Sequence, residues 1–280
     1  MYDKTIKRPV LRYHGGKWML APWIISNFPA HRVYTEVFGG GASVLLRKQR
    51  SYSEVYNDLS GDVVNVFKVV RDHGEELTRR IELTPFSREE FETFDADYLA
   101  FLEDPIERAR VIIFRSFAGF GSGSTNLNHA TGFRCNSNRS GTTPAHDWAN
   151  YPKHISAFIE RLKGVVIENK DAKEVLLQHD TEKTLHYVDP PYVHSTRKQN
   201  KVYPFEMIDQ DHIDLSESLK SLKGMVVLSG YDCDLYQELY GDWYSVSKDA
   251  YADGAQKRVE KLWLNPSVTS QQNGFMHLLD

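Results

Sequence analysis

Asp189, Pro190, Pro191 and Tyr192 follow directly on an apolar run containing Leu185, Tyr187 and Val188. Proline has no amide hydrogen for a strand ladder, so the two prolines end any strand at this point. A carboxylate, a rigid backbone and an aromatic ring are thereby fixed together at a strand end. Three glycines, Gly39, Gly40 and Gly41, follow an earlier strand-like run, residues 33–37. Glycine lets a ligand approach the backbone closely, and a helix opening behind the turn would favour negative charge. The turn is not a Walker sequence, because no Gly-Lys-Ser/Thr follows, and it departs from GxGxxG. Asp58 ends the next apolar run about 20 residues on, where nucleotide-binding α/β sheets place an acceptor for ribose hydroxyls. Asp171 stands just past a third such run, as a helix cap or as a ligand contact.

Hydrophobic periodicity gives the elements that must hold these residues. Residues 32–46 read as strand, glycine turn and helix, and residues 53–77 repeat the pattern with an acidic turn. Two successive strand–helix units predict a parallel sheet. Residues 84–120 read as helices, with Ser87 and Glu90 forming a capping box and a stop at Asp104-Pro105. Residues 119–147 are polar and glycine-rich, and a loop of that length inside a compact domain is usually functional or disordered. The α/β alternation then resumes: helix 151–164, strand 165–169, helix 172–179, the strand before Asp189, helix 212–224 and strand 225–231. The expected organisation is one α/β sheet domain, residues 1–77 and 164–280, interrupted by a mainly helical insertion at 78–163.

The 280 residues suffice for one such domain with an insertion. No apolar run approaches the length of a membrane helix, and the first residues have no apolar signal core, so a cytoplasmic protein is expected. The two cysteines, Cys135 and Cys233, are far apart and form no metal or disulfide motif. A net charge of −4 conceals basic segments at 1–50, 105–165 and 190–205, separated by acidic ones. If the basic segments share a face they would attract a polyanion.

With the glycine turn after Glu36-Val37-Phe38, the Tyr56-Asn57-Asp58 stretch and Asp-Pro-Pro-Tyr in this order, the chain resembles the Dam-like DNA adenine-N6 methyltransferases. Residues 11–17, ending in Gly15-Gly16-Lys17, look like the N-terminal motif of that class, with Tyr13 where relatives carry Trp. Residues 259–266 resemble a late strand of its phage and prophage members. The resemblance covers most of the chain, and the motif order matches the alpha arrangement, in which the insertion is the target-recognition domain. It implies a Rossmann-like sheet with S-adenosylmethionine as methyl donor. Tyr13, Lys17, Phe38, Gly40, Asp58, Asp171 and Asp189 would lie at the cofactor.

An adenine amine is a poor nucleophile, because its lone pair is delocalised into the ring. Asp189 and the Pro190 carbonyl would accept its hydrogens, Pro191 would stiffen the backbone, and Tyr192 would stack on the extruded base. No metal is needed. Double-stranded DNA is the expected partner, and the enzyme a monomer or weak dimer. Arg134, Asn136, Asn138 and Arg139 match the groove edges of guanine and adenine. Arg197, Lys198 and Lys201 would hold phosphates. A cytosine-N4 methyltransferase and a non-catalytic DNA-binding protein remain open alternatives at this stage.

Overall fold

A computed structural model describes residues 4–121, 131–136, 141–197, 205–252 and 256–270. Seven strands form one sheet: β1 Val33–Glu36, β2 Ser53–Asn57, β3 Val165–Glu168, β4 Thr184–Val188, β5 Met225–Gly230, β6 Tyr244–Ala252 and β7 Gln256–Leu264. Their spatial order is β3-β2-β1-β4-β5-β7-β6. The first five run parallel, and β7 is antiparallel to both β5 and β6. The order reverses between β1 and β4, which creates a switch point at their carboxyl ends. Strand β4 stops at Val188, directly before Asp189, as the prolines require. The central strands are buried along nearly their whole length, as expected of a sheet covered on both faces.

The helices largely follow the periodicity. Ser87 caps the helix Arg88–Thr93 by accepting from the Glu90 amide at 3.1 Å. Asp104 ends one helical stretch and caps the next, Pro105–Ala118. Helices of the segment 78–163 pack into the same hydrophobic core as the sheet: Phe114, Trp148 and Phe158 cluster with Tyr34, Tyr56 and Phe67. A buried ionic knot reinforces the join. Arg161, on the helix Ile155–Leu162, bonds Glu54 of β2 at 2.6 Å, and Lys48 bonds the same carboxylate at 2.6 Å.

One expected element is absent. Residues 42–46 do not open a helix; residues 43–47 form consecutive turns. The Leu45 amide donates to the Glu36 carboxyl group at 2.7 Å, and only isolated helical bonds form, from the Leu46 and Lys48 amides to Ala42 and Val44 at 2.9 Å each. The loop expected at 119–147 is shorter at its described ends. Gly119 and Phe133 pair as an antiparallel bridge, and Thr143 caps a helix, Pro144–Asn150.

Candidate active site

The carboxyl ends of β1, β2, β3 and β4 surround a cavity of about 260 Å³. Tyr13, Lys17, Phe38, Gly40, Asp58, Asp171 and Asp189, all expected at the cofactor, line it together, and Pro191 joins them. Side chains unused in the sequence reading, among them Glu36, Asn57 and Met207, line it too.

The glycine turn owes its composition to the protein's own rings. A Cβ on Gly40 would lie 2.8 Å from the Tyr13 ring, and the residue holds φ +45°. Ala42 also adopts a left-handed backbone, φ 51°, which is unusual for a residue with a side chain. Asp58 fastens the turn, accepting from the Gly40 amide at 2.8 Å and from the Ser60 amide at 2.8 Å. Asn57 is a clamp that sequence reading passed over. Its side chain donates to the carbonyls of Val37 and Lys170 and accepts from the Lys170 amide, tying three strand ends together. Asp171 caps the helix Ala172–Gln178 through the Lys173 amide at 2.8 Å while it also lines the cavity.

At the inner end of the cavity, Lys17 Nζ lies 3.0 Å from Asp189 Oδ2. The same ammonium donates to the Gly15 carbonyl at 2.8 Å and stands 4.7 Å from the centre of the Tyr192 ring. Asp189 Oδ1 is buried and makes no hydrogen bond of good geometry, although the Tyr192 hydroxyl stands close enough to the carboxyl to help hold its pKa down. Burial pushes the Asp189 carboxyl up to about 6, with Lys17 opposing the shift and Glu260 adding to it. Burial also pushes Glu36 up to about 8, so it is largely neutral near pH 7. Tyr192 differs from the open stacking platform expected of it. Its ring is 6 % exposed, packs edge-on against Tyr231 at 4.5 Å, and its hydroxyl donates to Glu260. Glu260 was not singled out in the sequence, because a lone glutamate on a strand carries no motif of its own.

The residues expected at DNA divide. Asn138, Arg139, Lys198 and Lys201 lie outside the described residues. Arg134 is half-buried and donates to the Phe117 carbonyl at 2.9 Å, at the foot of the 119–133 bridge. Asn136 is exposed on the same segment. Arg197 does not project freely toward a backbone phosphate: both its terminal nitrogens bond Glu206, at 3.2 and 2.6 Å. Among the described residues no group of three or more His, Cys, Asp or Glu side chains gathers as a metal site, and no helix is long and apolar enough to cross a membrane.

A cavity at the switch point of an α/β sheet, lined by Asp189 among other strand-end residues, is the place where ligands bind in folds of this class. Comparison with known proteins makes the class specific. Residues 13–252 match the family described as D12 class N6 adenine-specific DNA methyltransferase. A DNA adenine methylase of Salmonella typhi is 23 % identical over 258 residues, covering 86 % of this chain and 85 % of that protein. A type II methyltransferase of Lactococcus lactis subsp. cremoris is 26 % identical over 263 residues, covering 86 % and 87 %. The chain belongs to the D12 class of N6 adenine-specific DNA methyltransferases, and it methylates the N6 amine of adenine in DNA.

Proposed function

We propose that the cavity holds S-adenosylmethionine and that Asp189 receives an adenine turned out of duplex DNA. The observation that carries this reading is Asp189 Oδ1, a buried acceptor in the cavity lining that makes no hydrogen bond of good geometry. A buried polar atom left unpaired is costly, and an incoming N–H would satisfy it. The donor set fits the cofactor: Tyr13 and Phe38 offer apolar walls, Asp58 and Asp171 offer acceptors, and Lys17 and Asp189 stand at the inner end. When bound, the cofactor supplies an electrophilic methyl group on a sulfonium.

The chain's own residues prepare the nucleophile. Asp189 Oδ1 accepts one amine hydrogen and the Pro190 carbonyl the other, which draws the nitrogen toward tetrahedral geometry and aims its lone pair. Lys17 keeps the carboxylate ionised and oriented through Oδ2. Positioning of this kind supplies a large share of the rate in a two-reactant transfer. Methyl transfer would make one N–C bond as the methyl's S–C bond breaks and its electron pair stays on sulfur, and the surplus N–H proton would pass to the Asp189 carboxylate and on to solvent. Tyr192 would have to uncover its ring to stack on the extruded base, and the partly exposed Tyr231 packed against it offers the accessible aromatic surface. Segment 119–147 is the proposed reader of sequence, through Arg134, Asn136, Asn138 and Arg139. Lys198 and Lys201 are the proposed phosphate contacts.

The test uses purified protein, labelled S-adenosylmethionine and unmethylated genomic DNA, followed by digestion to nucleosides and calorimetry of cofactor binding. Label in N6-methyladenine together with saturable cofactor binding is the expected result. A protein that neither binds this cofactor nor labels adenine with it would overturn the reading.

A further inference from the structure

We propose that Glu260, on β7, is a positioning residue for methyl transfer: it fixes Tyr192 through the tyrosine hydroxyl and holds the Lys17 ammonium shared between two carboxylates. The inference rests on the reading of Asp189 as acceptor for the target amine.

Glu260 is 2 % exposed, and a buried carboxylate needs partners. Its partners come from three separate segments. Tyr192, after β4, donates its hydroxyl to Oε1, Ser229 of β5 donates to the same oxygen at 2.8 Å, and Lys17 Nζ stands 3.9 Å away. The sheet order makes this meeting possible, because β7 lies against β5 with Ser229 in register opposite Leu262. Other residues buried on β7, Leu262, Trp263 and Leu264, are apolar, so a carboxylate at Glu260 is not the default choice for packing. It stands beside Asp189 and disfavours the ionised form of that carboxyl.

The arrangement gains control of one cation. Lys17 bonds Asp189 through Oδ2 and leaves Oδ1 without a hydrogen bond of good geometry. Without Glu260 the ammonium would lose one of the two carboxylates it stands beside and could bridge both oxygens of Asp189, covering the atom that must meet the amine. Glu260 holds Lys17 back from Oδ1 by giving it a second anion, and it fixes the ring under that ammonium. Among the described residues, the charged and titratable groups facing this pair are Lys17 from the N-terminal segment, Glu36 of β1, Tyr187 and Asp189 of β4 and its end, Tyr192 beyond it, Tyr231 after β5 and Tyr236 on the helix that follows. Arg258, two residues before Glu260 on β7, lies 5.7 Å from the Tyr231 ring.

The experiment compares wild type, Glu260→Gln, Tyr192→Phe and the double variant, each checked for folding by thermal melting. Product N6-methyladenine is measured against pH. Glu260→Gln keeps the shape and removes the charge. Its kcat is expected to fall on the order of 10- to 100-fold, as for a misplaced reacting group, with a much smaller change in KM for the cofactor. Its acidic limb should move to lower pH, because Asp189 loses a negative neighbour and keeps Lys17 to itself. Tyr192→Phe should also lower kcat, and the double variant should fall no further than the lower of the two singles, since both act through one bond. An unaltered kcat and pH profile in folded Glu260→Gln would overturn the proposal. So would a loss with a stationary limb and full additivity with Tyr192→Phe, which is the behaviour of a merely structural residue. Should Glu260→Gln not fold, Tyr192→Phe decides alone: lowered kcat with cofactor binding retained supports the inference, and full kcat overturns it. Wild type that makes no N6-methyladenine from S-adenosylmethionine would instead strike at the proposed function.

Discussion

Replacing Lys17 with Met removes the cation that lies 3.0 Å from Asp189 while keeping most of the side chain's volume. Two unit charges about 4 Å apart interact by about 4 kcal/mol at an effective dielectric near 20. Water entering beside Met would screen part of that loss, so about 2.7 kcal/mol is a working value, equal to about two pKa units. The carboxyl of Asp189 lies at about 6 with Lys17 present. Loss of a cation disfavours the carboxylate, so the value moves up, toward about 8. Asp189 must be ionised to accept the amine hydrogen, so activity rises as pH rises through this value. The acidic limb of kcat/KM should therefore move from near pH 6 to near pH 8 in the variant. At about pH 7.5, where wild type is on its plateau, only about a quarter of the variant would be ionised. The assay is transfer of labelled methyl to DNA, measured from about pH 5 to about pH 9. A lowered plateau with the limb still near pH 6 would refute the reasoning and reduce Lys17 to a cofactor contact. The shift is opposite in sign to that expected for Glu260→Gln, so general damage to the site cannot produce both.

Gly40→Ala should weaken S-adenosylmethionine binding, since its Cβ would lie 2.8 Å from the Tyr13 ring at φ +45° and push that ring into the cavity; calorimetry giving wild-type affinity would contradict this. The strained backbone should also lower stability by about 1–3 kcal/mol. Glu54→Ala should cost about 3–5 kcal/mol in denaturant unfolding, because it strands Lys48 and Arg161 in the core without their shared carboxylate. A loss below about 1 kcal/mol would mean that water or a shifted neighbour replaces it.

The sheet was legible because its strands are short apolar runs closed by glycine, acidic or proline signals, and Pro190 marks the end of β4 to the residue. The cavity lining was legible for the same reason: Gly40, Asp58, Asp171 and Asp189 stand at strand ends, and parallel strands bring those ends together. The turns at 43–47 were not legible, because the apolar run there has helical spacing and only the tertiary contact of the Leu45 amide with Glu36 marks the place. Strand β6 was missed as well, since its polar residues give little hydrophobic alternation. The segmental charge pattern misled in part. Lys17, Lys48, Arg110, Arg115 and Arg161 belong to the basic segments yet are buried within the protein, not displayed to a polyanion. Glu260 depends wholly on topology, for only the insertion of β7 between β5 and β6 sets it beside Ser229 and Tyr192.

The central claim is that the buried oxygen of Asp189 accepts the target amine. Single-turnover methyl transfer by Asp189→Ala, run alongside calorimetry of S-adenosylmethionine binding, tests it most directly. The account predicts that the cofactor still binds while N6-methyladenine falls to background. Transfer at the wild-type rate from a variant without that carboxylate would contradict it.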